Sequence, residues 1–156
     1  MNDFLLIFQN KILAAALISW LISQIIKGIS SIFTEGKFSL ERLLGDGGMP
    51  SGHSATVVTL ATLIGYTSGF SSAIFALALV FAIVVMRDAC GVRRETGKQT
   101  ESIKELADAI NSLLHEKKPE VKTEKLKELV GHTPIQVFFG ALLGLTVSII
   151  FIIFAF

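Results

Sequence analysis

From residue 134 to residue 156 the chain carries no charge. An apolar helix of that length crosses the ~30 Å hydrocarbon layer of a bilayer, at about 1.5 Å per residue. Residues 5–26 form a second such stretch, interrupted by Gln9, Asn10, Lys11 and a few other polar residues. Residues 54–70 and 72–86 are also uncharged but shorter. They meet at Gly69-Phe70-Ser71-Ser72 and read as a tight helical hairpin that either spans the bilayer or dips into it and returns. With 51% hydrophobic residues and twelve Phe among 156 positions, the expected fold is all-α: an integral membrane helical bundle with four apolar segments. Residues 5–26 lack the basic stretch and the small-residue cleavage site of a secretory signal, so they read as a retained helix.

Charge gives the bundle a direction. Of fourteen Lys and Arg residues, only Lys11 lies outside segments 27–52 and 87–133. Four crossings place those segments on one side, and the positive-inside rule assigns that side to the cytoplasm, with both ends of the chain opposite. The expected location is the plasma membrane, in a multi-pass arrangement. A net charge of +1, with acidic residues interleaved among the basic ones, implies no nucleic-acid partner. Membrane lipids are the expected partners, with room for a homo-oligomer. The single cysteine, Cys90, excludes an intramolecular disulfide and a Cys-rich metal site, and reads as a buried structural thiol.

Residues 94–131 form a cytoplasmic insertion within one membrane domain, 1–156. Ile103, Leu106, Ala107, Ile110, Leu113 and Leu114 recur with helical period, and Ser102 with Glu105 has the spacing of a capping box. An amphipathic helix is expected there, either packed on the membrane domain as a lid or lying at the lipid interface. Pro119 interrupts it, and Leu126, Leu129 and Val130 suggest a shorter helix running into Gly131. His115, among Glu116, Lys117 and Lys118, reads as solvated.

Two clusters carry chemistry. Gly47-Gly48-Met49-Pro50-Ser51-Gly52-His53 puts a hydroxyl, a glycine backbone and an imidazole at the mouth of an apolar segment. Pro50 and the glycines disfavour a helix interior, while Ser51 or Ser54 can cap a helix beginning near His53, whose N–H groups attract an anion. By itself the cluster reads equally as a phosphate grip or as a capped helix start with an interfacial histidine. The second cluster, His132-Thr133-Pro134-Ile135-Gln136-Val137-Phe138-Phe139-Gly140, again places a histidine just before an apolar helix.

Together these clusters resemble the type 2 phosphatidic acid phosphatase and vanadium haloperoxidase superfamily. Its last motif runs His, three residues, Asp, Val, two residues, Gly; here the matching residues are His132, Gln136, Val137 and Gly140. The motif's arginine, six residues before its histidine, is absent at Leu126 but is matched by Arg87 in Arg87-Asp88-Ala89-Cys90-Gly91-Val92-Arg93. The motif is thus split by the insertion, as in a small divergent branch found in bacteria and plastids. The resemblance implies that His132 attacks phosphorus to form a phosphohistidine. It implies that His53 protonates the leaving alkoxide and then activates water, and that Arg87, Ser51 and Gly52 bind the phosphoryl oxygens. No metal or other cofactor is implied. The family's first motif, a Lys and an Arg, is matched best by Lys27 and Arg42, with Lys37 able to replace either.

Gln136 departs from the pattern, standing where the family has a carboxylate that stabilises the charged histidine. An amide orients an imidazole without neutralising it, and by analogy with a hydrolase triad the loss is on the order of 10⁴ in rate. Asp88 can supply the charge from another position, or pair with Arg93 or Arg94. Arg93, where an uninterrupted motif would hold its histidine, can bind an anion or face anionic lipid heads. The expected activity is hydrolysis of a membrane lipid phosphate or diphosphate. The alternative is a non-catalytic protein that binds phosphate or a phospholipid headgroup, or an assembly or transport factor. In either case His53 and His132 are expected to face each other across a pocket that also receives Arg87.

Overall fold

The structure of the chain, a computed structural model, describes residues 7–36, 48–113 and 132–156. After a 3-10 turn at Ile7–Gln9 the described residues form five helices: α1 (Lys11–Glu35), α2 (Gly52–Ser68), α3 (Ala73–Cys90), α4 (Val92–Leu113) and α5 (Pro134–Ala155). The fold is an all-helical membrane bundle, and among the described residues three stretches hold a segment long and apolar enough to cross a bilayer: Lys11–Phe33, Ala73–Ser112 and Pro134–Ala155.

Helix ends in or near lipid leave amides that no water can satisfy, and the sequence supplies a side-chain acceptor at four of the five starts. Asn10 accepts from Leu13 N at 3.0 Å, Ser51 from Ser54 N at 3.3 Å, Ser72 from Phe75 N at 3.2 Å and Thr133 from Gln136 N at 3.4 Å. Gly36 closes α1 with φ 70°, and Gly69 turns α2 into α3 with φ 88°, backbone conformations that favour glycine. Two boundaries differ from the sequence reading. Helix α1 runs past the apolar stretch to Glu35 and so carries Lys27 inside it. Its small polar residues fold back on the helix: Ser30 donates to Lys27 O and Ser31 to Gly28 O. Helix α4 begins at Val92, directly after Gly91, which leaves Ser102 mid-helix with no terminus to cap.

Helix α2 is the axis of the bundle, packed against α1, α3 and α5. With neighbours on three sides it buries Ala55, Val57, Thr59, Ala61, Leu63 and Gly65 around much of its circumference. It lies parallel to α5 and in step with it. Ser51 N donates to Gln136 O at 3.0 Å near one end, and Thr59 Oγ1 donates to Gly144 O at 3.1 Å midway. At the other end the Tyr66 ring meets that of Phe156 at 6.2 Å. The 17 residues of α2, about 26 Å of helix, therefore reach the level where α5 ends. The hairpin of α2 and α3 traverses the full height of the bundle instead of dipping partway.

The outer faces carry exposed apolar side chains, among them Leu17, Leu21 and Ile25 on α1, Leu77, Val80 and Val84 on α3, and Ile149 and Ile153 on α5. Surface of this kind is suited to acyl chains and not to water. At the Tyr66 end, Lys11 donates to Ala155 O at 2.5 Å and sits 5.4 Å over the Phe156 ring.

Candidate functional site

The opposite end of the bundle collects the motif residues, because the start of α2, the start of α5, the end of α3 and the C-terminal half of α1 all lie there. The clamp between α2 and α5 is built from the histidine motifs themselves. A Cβ on Gly140 would collide with the Ser51 carbonyl oxygen, and one on Gly144 would fall 2.5 Å from that of Ala55. Only glycine at both positions lets α5 lie this close to α2.

This approach sets the two imidazoles together. The rings of His53 and His132 are 6.1 Å apart, inclined at 62°. His132 is 2% exposed, and its backbone N–H donates to Ala89 O at 2.8 Å, which ties it to the end of α3. The two halves of the split motif thus meet through the backbone of Ala89, two residues after Arg87.

Gln136 has two tasks. Its Oε1 accepts from Thr133 N at 2.9 Å, completing a reciprocal capping box, and lies 3.3 Å from His132 Nδ1. Since Thr133 N–H can only donate, the facing atom of Gln136 is the amide oxygen, and His132 Nδ1 must carry the proton that points at it. In the neutral tautomer with that proton, the lone pair resides on Nε2.

Other site candidates occupy distinct places. Ser51 is fully buried; its Oγ accepts from Ser54 N and Ser54 Oγ, and its N–H is taken by Gln136 O, so its bonds hold the two helices in place. Gly52 lies against α1, where a Cβ would fall 2.9 Å from Ser23 Oγ and 3.2 Å from Trp20 Cδ1. Lys27 is buried, and its stem passes Gly48, whose φ of 91° brings the glycine-rich turn against it. Gln24, one turn earlier on α1, is buried, and its Oε1 has no hydrogen-bond partner among the described residues. It was not singled out in the sequence, although an amide within an apolar run is the signal that marks it.

Arg87 is exposed. It continues the outward stripe of Leu77, Val80 and Val84 on α3, while Ala82 and Ala89 face inward. With Val84, Asp88, Cys90, Gly91 and Val92 it lines an open groove at the joint of α3 and α4. Cys90, expected to be buried, is partly exposed. Arg42, Lys37 and His115 lie outside the described residues, as does the side chain of Arg93.

Ordered phosphatase-like motifs that converge at one end of a lipid-adapted helical bundle define a small integral membrane protein related to the type 2 phosphatidic acid phosphatases. The chain belongs to the Divergent PAP2 family, whose model matches residues 8–147. It is 36% identical over 150 residues to the uncharacterized membrane protein YuiD of Bacillus subtilis (strain 168), a match covering 92% of this chain and 95% of that protein. No solved structure matches it.

Proposed function

We propose that the protein is a phosphatase acting on a membrane lipid phosphate or diphosphate through a phosphohistidine intermediate. The observation that carries this reading is the 6.1 Å approach of the His53 and His132 rings, a spacing at which two imidazoles can flank one phosphoryl group. With its Nδ1 proton held toward Gln136, His132 directs Nε2 at phosphorus. As the P–N bond forms and the P–O bond breaks, His53 gives its proton to the leaving alkoxide; it then takes one from the water that cleaves the phosphohistidine. In this reading Lys27, buried beside the glycine-rich turn, and the Gly52 backbone meet the phosphoryl oxygens, with Arg87 at the edge toward lipid. A site at the end of a bilayer-spanning bundle meets a headgroup whose tails remain in the membrane. The clustering of basic residues at this end supports a cytoplasmic orientation in the plasma membrane.

A second reading, binding without turnover, is favoured by one observation: Gln136 offers His132 a neutral amide and spends the same oxygen on the Thr133 cap. Purified protein incubated with a panel of lipid phosphates and diphosphates separates the two. Phosphate release that the His132→Ala variant loses supports the enzyme. Release equal in both removes His132 as nucleophile, and saturable headgroup binding without release leaves the binding reading.

A further inference from the structure

Helix α4 touches only α3 among the described helices, yet it is organised on every side. Val92, Ile103, Leu106 and Ile110 are exposed and fall within a narrow stripe at 100° per residue. Arg94, Lys98, Glu101, Glu105 and Asp108 line a groove on the face diametrically opposite. The covered flank between them holds Thr100 and Ala107, 8% and 4% exposed. A lid packed on the bundle would do the reverse, covering its large apolar residues and exposing its small polar ones.

The bilayer fits the uncovered stripe. Val92, where the stripe begins, lines the same groove as Val84, so the apolar faces of α3 and α4 meet at the Gly91 break; Thr96 and Gln99 then separate Val92 from the apolar run of Ile103, Leu106 and Ile110. Arg87 and Asp88 mark that break as the level where the apolar part of α3 ends. At the edge of the stripe Lys98 donates to Glu95 at 2.8 Å, which turns that carboxylate toward the charged face and holds it below the usual carboxylate range. That one pair ties the edge of the stripe to the charged face, and both of its side chains are exposed, as at a surface turned to water.

We infer that α4 lies in the plane of the membrane surface, with Val92, Ile103, Leu106 and Ile110 sunk among the lipid headgroups and upper acyl chains. The helix then works as a float beside the site, fixing the height at which the chain leaves the bilayer after α3. The test uses full-length protein in a Cys90→Ser background, reconstituted in phosphatidylcholine–phosphatidylglycerol vesicles. Single cysteines at Ile103, Leu106, Lys98 or Glu101 carry an environment-sensitive fluorophore, with a nitroxide on the upper acyl chain as quencher. Quenching at 103 and 106 is expected to be roughly twofold or more above that at 98 and 101. Leu106→Asp should abolish the difference at 103, whereas Lys98→Asp should leave it. Equal quenching at all four sites would overturn the inference, as would protection at 103 and 106 accompanied by disulfide cross-linking between copies through those cysteines. The latter would make the stripe a dimer seam.

Discussion

A single oxygen, Gln136 Oε1, links the histidine motif to the start of its helix. Because it serves Thr133 N and His132 Nδ1 together, side-chain length matters as much as charge. Glu has the length of Gln and the charge of the family's carboxylate, and it completes a capping box as well as Gln does. Asp carries the charge on a shorter arm. Gln136→Glu is therefore expected to raise phosphate release at least ~10-fold, as a carboxylate stabilises the imidazolium-like charge that develops on the nucleophilic ring. Gln136→Ala should lower it, and steady-state rates on one lipid phosphate check both. The double role was legible in the Thr133–Gln136 spacing, which is that of a capping box, but comparison with the family weighs Gln136 only by the charge it lacks. The meeting of His53 and His132 follows from motif order and shared sidedness, since both precede apolar segments that start on the same face.

Among elements, the contact between α2 and α5 decides whether the site exists. Gly140, Gly144 and Ser148 on α5 recur every four residues, as do Ser51, Ala55 and Thr59 on α2. The two rows mesh through hydrogen bonds from Thr59 Oγ1 to Gly144 O and from Ser148 Oγ to Thr59 O. Lipid gives helices little hydrophobic reason to associate, so close approach of small residues has to supply the contact. Gly144→Leu should push the helices apart at a cost on the order of 2 kcal/mol. It should lower the thermal midpoint and impair headgroup binding, although position 144 lies a full turn below the histidine motif. Thermal unfolding in detergent, with a binding assay beside it, reads both effects. The helices themselves were legible from uncharged length. The facing of Arg87 was not, because a motif match gives a residue its order in the chain and not its angle on a helix; the outward stripe of Leu77, Val80 and Val84 sets that angle.

For the whole molecule, the four bundle helices place His53, His132 and Arg87 at one end and the Lys11–Phe156 contact at the other. In a Cys90→Ser background, a cysteine at Arg94 should react with a membrane-impermeant thiol reagent only from the cytoplasmic side, and one at Ser71 only from outside. The reverse pattern would invert the protein in the membrane. The central claim is that His53 and His132 form one phosphoryl-transfer site with separate duties, and trapping tests it most directly. An aryl phosphate leaves without help from an acid, so His53→Ala should still let His132 take the phosphoryl group while leaving no base to activate water. The expected result is a labelled phosphoprotein, stable to base and labile to acid, that accumulates in His53→Ala, maps to His132 and disappears in the His53→Ala, His132→Ala double variant. Absence of label from His132, under conditions where the wild type releases phosphate, would contradict it.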